Sequence, residues 1–398
     1  MQARERFQRI MKFDPGIRTL YWEFGYWAAT IRRWYHEGLP KIHGIPDDHP
    51  DDKTVTGEGI PSPELDSVKD REVSSYLSFD KGIMRVPVEH WIFPRFTRQV
   101  IQETETHLIL IDEVGITQEV LKQGGSMPHF LGWPVANRED FENLKERFNP
   151  DDPGRFPENW REVVAQFRAR DYPIALGGRP VGFFGSLRDL MGFEVTLLGY
   201  YDQPQLIKDM LTFFTDFWIR LWEKVLSQLH DVDLALIWED MSYKSGSLIS
   251  PAMFQEFMLP CYKKITAFLK SYGVTTIFVD TDGNCTDLIP LFLEGGVTGM
   301  FPFEVQAGMN IVNIAKEFPT LQIMGGLDKT KIAKDKALID QELEKLPFML
   351  RRGGYIPYLD HLVPPEVPWE LFVYYRKRMQ AIIEKTSYET LFMPIPLL

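Results

Sequence analysis

Cysteine is scarce in this sequence of 398 residues, which contains only Cys261 and Cys285. Two cysteines cannot form a disulfide framework, a thiolate-rich zinc site or an iron–sulfur cluster held by this chain alone. The N-terminus lacks the apolar stretch of a signal peptide, and no apolar run approaches the roughly 18 residues that a membrane span needs. These absences predict a cytoplasmic protein with no membrane association.

Positive charge is also in short supply, because 44 Lys and Arg residues face 56 Asp and Glu residues, a formal net charge of −12. Neutralising phosphates requires clustered positive charge, so nucleic acid is not the expected partner. Aromatic residues make up 13% of the chain, which is enough for a large core and for an aromatic-lined pocket.

Nucleotide-binding motifs are missing as well. No Gly-x-Gly-x-x-Gly follows a strand-like run, and there is no Gly-x-x-x-x-Gly-Lys-Ser/Thr, so the main signals for an open nucleotide-binding sheet are absent. From about residue 172, short apolar runs instead alternate with longer helical patterns, which favours βαβ units and a parallel sheet. The predicted strands are residues 19–23, 172–176, 234–238, 275–279, 297–301, 321–324 and 354–356. We therefore predict a (β/α)8 TIM barrel rather than a doubly wound sheet, with the eighth strand not placed.

Three helices are predicted between these strands, at residues 204–229, 251–271 and 330–350. Apolar residues recur at three- and four-residue spacings in the first. Ser250 and Pro251 suit the start of the second, and Gly273 suits its end.

The N-terminal third is less regular. Residues 40–70 are rich in Pro, Gly and Asp and are expected to form a long loop. Alternating segments then predict a small antiparallel sheet, formed by residues 83–88, 96–100, 107–111 and 117–121. Because no linker is visible, we predict one barrel domain over 1–398, in which 1–170 carry the first strand and an N-terminal insertion and 171–398 the main βα repeat. A homodimer is compatible with the sequence.

Charged residues follow nearly every predicted strand, at the rim where the active site of a parallel barrel lies. One such residue often only caps the next helix. Several on one rim repel one another and require cations, protons or substrate donors among them. The residues are Glu239, Asp280, Asp282, Glu304, Asp328 and Asp360.

Asp280 and Asp282 are two residues apart on an extended segment, so both carboxylates can face the barrel mouth. Together with Glu239 and His361 they form a set of oxygen and nitrogen donors that suits zinc, manganese or iron. The alternative is that they pair with Arg179, Lys244 or Lys329 and bind no metal. His361 is also a candidate for proton transfer, oriented by Asp360.

Four aromatic residues lie together at the end of the first predicted strand: Trp22, Phe24, Tyr26 and Trp27. They form either core packing or an apolar wall for a flat substrate.

Further candidates for contact with the substrate follow the later strands. Phe183 and Arg179 follow residues 172–176, Lys244 follows 234–238, and Asn284 and Glu304 follow the next two strands.

With these residues identified, the chain resembles the uroporphyrinogen decarboxylase superfamily, whose (β/α)8 barrels include the decarboxylase proper and corrinoid-dependent methyltransferases. The stretches that carry the resemblance are Tyr26-Trp with Glu37-Gly-Leu-Pro40, Trp238-Glu-Asp-Met-Ser242, Ile249-Ser-Pro-Ala-Met-Phe254, Val279-Asp-Thr-Asp-Gly-Asn284, Gly325-Gly-Leu-Asp-Lys329, and Gly353-Gly-Tyr-Ile-Pro with Asp360-His361.

Two departures from the family pattern affect the expected activity. The decarboxylase proper has an Arg-Gln-Ala-Gly-Arg-Tyr-type motif where this chain reads Tyr21-Trp-Glu-Phe-Gly-Tyr26, and an acidic, aromatic mouth fits a polycarboxylate poorly. The thiol-methylating members carry a His-x-Cys-Gly segment and a late cysteine as zinc ligands, where this chain has Asp280-Thr-Asp282 and Asp360-His361.

The resemblance therefore implies an O-demethylase, which moves a methyl group from a small methoxylated aromatic substrate to the cobalamin of a partner corrinoid protein. Trp22, Tyr26 and Phe183 would hold the substrate, assisted by Arg179, Lys244, Asn284 and Glu304. A zinc or other divalent metal on Asp280, Asp282, Glu239 and His361, or a proton from these residues, would load the ether oxygen. The alternatives are a decarboxylase, a methylcobalamin-to-pterin or -thiol methyltransferase, and a non-catalytic binding subunit.

Overall fold

The structure is a computed structural model that describes residues 1–60, 68–122 and 128–392. A curled parallel sheet of seven strands forms its centre, and the strands follow one another around the sheet in chain order. They are β1 Met84–Arg85, β2 Ile174–Gly177, β3 Leu234–Trp238, β4 Ile277–Thr281, β5 Gly299–Pro302, β6 Gln322–Met324 and β7 Tyr355–Ile356. This order is that of a TIM-barrel-like fold, so the predicted fold class is confirmed.

Residues 19–23, predicted as the first strand, contain no strand. The Thr19 hydroxyl donates to the carbonyl oxygen of Tyr355 at 2.8 Å, and the Tyr21 carbonyl accepts from the Asp80 N–H at 3.2 Å. This segment therefore connects the edge strand β7 to residues just ahead of the other edge strand, Met84–Arg85, without a strand ladder.

The strand that the sequence left unplaced is Met84–Arg85, which pairs in parallel with Ile174–Gly177. The prediction that residues 83–88 belong to the small antiparallel sheet is wrong. An alternating run has the same appearance at the edge of a parallel sheet as in an antiparallel one, and only the pairing partner distinguishes them.

The small antiparallel sheet exists and has four strands in chain order. They are Gln99–Glu103, His107–Ile111, Thr117–Leu121 and His129–Gly132. The strand predicted at 96–100 begins three residues later than expected. Two further pairs of short antiparallel strands are Gly25–Trp27 with Thr54–Thr56, and Ser242–Tyr243 with Gly246–Ser247.

Helices surround the barrel sheet, and the N-terminal region also contains helices. The α-helices are Ala3–Met11, Ala28–His36, Glu72–Tyr76, Arg138–Leu144, Trp160–Arg168, Phe183–Met191, Phe193–Asp202, Pro204–Leu226, Pro251–Met253, Leu259–Ser271, Ile289–Glu294, Ile311–Glu317, Lys329–Ile332, Lys336–Leu343, Leu346–Arg352 and Trp369–Phe392. Short 3-10 turns are Lys145–Arg147, Pro153–Arg155, Thr286–Leu288 and Val305–Ala307, and Phe254–Met258 is a π-helical turn. Within the described ranges, no helix has the length and hydrophobicity that crossing a bilayer requires.

The helix predicted at 251–271 begins as expected, because the Ser250 hydroxyl accepts the N–H of Met253 at 3.2 Å. The helix predicted at 330–350 is instead three short helices. Asp335 starts the second of them by accepting the N–H of Leu338 at 2.8 Å, so the chain changes direction within the apolar pattern.

Candidate active site

A pocket of about 270 Å³ opens at the carboxyl ends of the barrel strands, where the sequence placed the active site. Its wall combines aromatic and aliphatic side chains with three aspartates and a histidine. The lining residues are Phe24, Trp27, Thr54, Thr56, Ile60, Gly178, Arg179, Leu236, Trp238, Asp240, Asp280, Asp282, Phe301, His361 and Leu362. The volume lies at the small end of ligand pockets and suits one substituted ring.

Asp280 and Asp282 both line this pocket, as their spacing on an extended segment predicts. Asp280 is part of strand β4, and Asp282 directly follows the end of that strand. Among the described residues, no group donates a hydrogen bond to either carboxyl group. Each is therefore available to a ligand.

Both aspartates hold protons more tightly than an ordinary carboxyl group. Burial raises the pKa of Asp280 well above its usual value, and the neighbouring charges of Asp282 and Asp240 raise it further. Burial is also the largest cause for Asp282, with Asp240 and Glu304 next, and it raises that pKa to about 7. Burial and like charge thus favour the protonated form of Asp280, and Asp282 is about half protonated at neutral pH.

His361 lies beside Asp282, with Nε2 3.8 Å from Oδ2, and its ring stacks on Phe24 at a centroid distance of 5.3 Å. Burial, with the charge of Lys329 second, lowers the pKa of His361 to about 4. The imidazole is therefore neutral near pH 7 and can act as a hydrogen-bond donor without carrying charge.

Asp360, which the sequence placed as the residue that orients His361, has other partners. Its carboxylate accepts the N–H groups of Val305 at 2.8 Å and Lys329 at 3.2 Å. It therefore fixes two strand-end loops and not the imidazole.

Glu239, predicted as a catalytic residue and metal ligand, does not line the pocket. Its buried carboxylate accepts the N–H groups of Phe183, Phe184 and Gly185, at 3.1, 2.6 and 3.3 Å, and the hydroxyl of Tyr262. Glu239 therefore supplies the N-terminal cap of helix Phe183–Met191. Burial raises its pKa to about 7 despite these donors.

The close approach of that helix to strand β3 depends on Gly182, because a Cβ at this position would lie only 1.6 Å from the Trp238 carbonyl oxygen. The pocket aspartate after β3 is the next residue, Asp240, rather than Glu239. Alternation explains this: Leu236 and Trp238 face the pocket, so Glu239 points to the helix side.

Arg179 and Arg188 flank the indole of Trp238, with guanidinium carbons 4.5 and 4.9 Å from the ring centroid. Arg188 pairs with Asp240 at 2.8 Å. Arg179, predicted to contact the substrate, lines the pocket and reaches Asp189 at 3.5 Å.

Three aromatic residues predicted to hold the substrate lie in the core instead. Trp22 is fully buried and stacks on Phe7, and Tyr26 is buried against Trp34. Phe183 is equally buried and packs on Tyr262 and Trp218. These assignments to the substrate site are not supported by their positions.

The aromatic wall is formed by Phe24 and Trp27 instead. Between them, Gly25 has a φ of +154°, which only glycine adopts easily, and this interrupts the alternation of the extended segment. A Cβ at Gly25 would also lie 2.9 Å from the Leu362 side chain. Tyr26 is consequently turned into the core.

Three polar residues predicted to contact the substrate also lie elsewhere. Lys244 is exposed outside the pocket. The Asn284 side chain accepts the N–H and hydroxyl of Thr286, and the Glu304 carboxylate accepts the N–H of Gly283 at 3.1 Å. Asn284 and Glu304 thus shape the loop around Asp282, and Glu304 acts on Asp282 through its charge.

The four predicted metal ligands do not form a coordination set. Glu239 caps a helix, and across residues 1–60, 68–122 and 128–392 no three His, Cys, Asp or Glu side chains are grouped so that they could hold a metal ion. The donor arrangement therefore does not fit zinc or another divalent metal at this site.

Thr54, Thr56 and Ile60 were missed because they lie in the segment that was expected to be a loop. Thr54–Thr56 pairs with Gly25–Trp27 and so reaches the barrel mouth. No local signal identifies this contact. Trp238 and Phe301 carried a weak signal, since each lies near the end of a predicted strand.

A family model described as "Uroporphyrinogen decarboxylase (URO-D)" matches residues 107–377, more than half of the chain. The uroporphyrinogen decarboxylase of Rickettsia bellii (strain RML369-C) is 23% identical over 320 residues, which is 75% of this chain and 90% of that protein. A solved structure described as a vitamin-B12-independent methionine synthase from Listeria monocytogenes is 11% identical, with a TM-score of 0.31 over 55% of this chain and 64% of that chain, which is too weak a likeness to support any statement about this protein.

Proposed function

The chain belongs to the uroporphyrinogen decarboxylase family, and from this premise we propose that it is an O-demethylating methyltransferase. It transfers the methyl group of a methoxylated aromatic substrate to the cob(I)alamin of a partner corrinoid protein. The observation that carries the proposal is the pair of aspartates with raised pKa values, Asp280 and Asp282, in a small aromatic pocket.

The chemistry requires an acid at the ether oxygen, because a phenol is a far better leaving group than a phenolate. When bound, the cob(I)alamin supplies the nucleophile for the methyl carbon. As the carbon–oxygen bond breaks, its electron pair remains on oxygen, which takes the proton of Asp282. Asp282 is left as a carboxylate and regains a proton from solvent. General acid catalysis of this kind typically contributes about 10²- to 10⁴-fold.

His361 assists at the same oxygen. The separation of 3.8 Å between Nε2 and the Asp282 carboxyl is too long for a direct hydrogen bond. One ether oxygen at about 2.8 Å from each atom fits between them. With Nε2 protonated, the neutral imidazole donates a second hydrogen bond to the departing oxygen.

The remaining wall positions the ring. Phe24, Trp27 and Trp238 supply flat apolar surface against which an aromatic ring can lie. Three aspartates with a single arginine suit a neutral or weakly charged ring and oppose a tetrapyrrole that carries many carboxylates.

The experiment combines the purified protein, a reduced corrinoid protein and a set of substituted methoxybenzenes whose methoxy carbon is ¹³C. We expect release of the phenol together with transfer of the label to the corrinoid protein. Absence of both products over a broad set of methoxyarenes would overturn the proposal.

A decarboxylase is the second candidate, and the match to the Rickettsia bellii uroporphyrinogen decarboxylase favours it. A protonated aspartate can also deliver a proton to the carbon that loses carbon dioxide. This candidate predicts carbon dioxide release from an aromatic or pyrrolic acid without any corrinoid protein. The same assay, run with such acids and without the partner, separates the two.

A further inference from the structure

A second and larger hollow, of about 730 Å³, lies outside the pocket, between the four-stranded antiparallel sheet and the barrel rim. We call it the outer hollow. Its aromatic lining consists of Trp91, Phe130, Trp133 and Phe193, and its floor includes Arg179 and Arg188.

The outer hollow adjoins the pocket of the proposed reaction. Arg179 and Asp240 line both cavities. A molecule that enters the pocket with one end can therefore leave its other end in the outer hollow.

The aromatic side chains favour an apolar occupant. Phe130 and Phe193 both line this hollow and are 41% and 46% exposed. Phe130 and Trp133 are neighbours, with ring centroids 6.2 Å apart. A second aromatic ring placed here would cover surface that is otherwise in contact with water.

Arg179 is the group at the junction of the two cavities that can bind a single anionic group. Asp112 already accepts the N–H groups of Val114 and Ile116, and Asp240 is held by Arg188. In the part of the chain that the structure describes, Arg179 contacts Asp189 at 3.5 Å and stacks on Trp238, and its charge acts on Asp280. Its guanidinium fork can bind a carboxylate with two hydrogen bonds in place of the long contact to Asp189.

Asp189 is the acid whose carboxylate Arg179 reaches, at 3.5 Å, and the charge of Arg179 also acts on Asp280. Burial raises the pKa of Asp189, even though the charges of Arg179 and Arg188 oppose that rise. The separation of 3.5 Å is long for a charge-assisted hydrogen bond, so a ligand carboxylate can compete with Asp189 for the guanidinium.

We infer that the substrate is a two-ring aromatic carboxylate, with its methoxylated ring in the pocket, its carboxylate on Arg179 and its second ring in the outer hollow. The inference rests on the proposed function for the identity of the first ring. In this arrangement, the small antiparallel sheet forms one wall of the outer hollow and favours substrates that have a second ring.

The test is calorimetric binding to the full chain, without corrinoid protein, of three probes. The first is 3-(4-methoxyphenyl)-2-phenylpropenoic acid, which has two rings with a carboxylate between them. The second is its neutral primary amide, and the third is 4-methoxycinnamic acid, which lacks the second ring. We expect the two-ring acid to bind at least about tenfold more tightly than either control.

Variants assign the effect to the two parts of the site. Arg179→Gln should weaken the two-ring acid by about ten- to a hundredfold and leave the amide unchanged, and Arg179→Lys should give a smaller loss. Phe130→Ser, at an exposed position, should weaken the two-ring acid but not 4-methoxycinnamic acid. Arg220→Gln, an exposed arginine paired with Asp151, is the matched control and should change nothing.

The inference is overturned if no probe binds, if the two-ring acid binds no better than 4-methoxycinnamic acid, or if Arg179→Gln weakens acid and amide equally. Arg179-dependent binding of the two-ring acid without methyl transfer refutes the proposed reaction and leaves the outer hollow assigned. Demethylation of one-ring methoxyarenes without preference for the two-ring acid refutes only the outer hollow.

Discussion

Nε2 of His361 and Oδ2 of Asp282 lie 3.8 Å apart at the barrel mouth. At neutral pH the imidazole is neutral and the carboxyl group is only partly ionised. The imidazole has a pKa of about 4 and the carboxyl group a pKa of about 7. This relationship is the reverse of a histidine–carboxylate ion pair. Both groups can donate a hydrogen bond to one oxygen atom placed between them, as the proposed departure of a phenol requires.

Replacing the acid should slow the reaction strongly. Asp282→Asn keeps the shape and removes the transferable proton, so we expect single-turnover phenol release to fall by about 10²- to 10⁴-fold. Substrate affinity measured by calorimetry should change by less than the rate. Asp287→Asn, at an exposed position of the same loop, is the matched control. A rate within threefold of the unaltered protein would rule out Asp282 as the acid.

The pH dependence follows from the direction of the Asp282 shift. Its pKa is raised to about 7, so the acid form is fully present below pH 6 and is lost as the pH rises through 7. Single-turnover rates should therefore be level between about pH 5 and 6 and should fall above 7. His361 titrates near 4 and adds no step in that range. In Asp282→Asn the decline near pH 7 should disappear, and its persistence would assign it to another group.

Glu239 should matter for stability more than for chemistry. Glu239→Ala leaves three backbone N–H groups and the Tyr262 hydroxyl without their acceptor, so we expect a loss of about 2–4 kcal/mol in the free energy of unfolding by urea. Tyr262→Phe removes one donor and should cost about 1–2 kcal/mol. Exposed Glu256→Ala should leave the unfolding midpoint unchanged. If Glu239→Ala has normal stability but no activity, Glu239 takes part in catalysis, as the sequence predicted.

The two faces of the segment around Gly25 provide a direct test of the pocket wall. Trp27→Leu removes aromatic surface from the pocket, and we expect the dissociation constant of a methoxyarene to rise about tenfold. Tyr26→Phe removes a buried hydroxyl in the core and should leave that constant unchanged. The opposite ranking of the two variants would show that Tyr26, as the sequence suggested, contacts the substrate.

Metal content can be measured directly. Because the predicted ligands do not form a coordination set, we expect well below one equivalent of zinc, manganese or iron per chain. Dialysis against a chelator should leave methyl transfer unchanged. One equivalent of metal in the purified protein, lost in Asp280→Ala, would contradict this expectation and restore the metal-assisted mechanism.

Local pattern was sufficient for much of the fold. The runs at 234–238 and 321–324 are barrel strands, and Ser250 caps its helix, because these features depend on residues only a few positions apart. The spacing of Asp280 and Asp282 placed both in one pocket for the same reason. The edge strand Met84–Arg85 was assigned to the wrong sheet because its partner lies about 90 residues away.

The sequence by itself determined the barrel class and the presence of acids at the strand ends, since side-chain periodicity and βα connectivity are encoded locally. Tertiary structure decided which of those acids face the pocket. Glu239 accepts the N–H groups at a helix N-terminus. Gly25 interrupts the alternation of side-chain directions that would have placed Tyr26 at the barrel mouth. Tertiary structure also placed the antiparallel sheet over Arg179 and so created the outer hollow. The burial and the hydrogen-bond partners of a side chain depend on packing between segments that are far apart in the chain. A single glycine with positive φ, or a set of backbone N–H groups that need an acceptor, can then decide which way a side chain points.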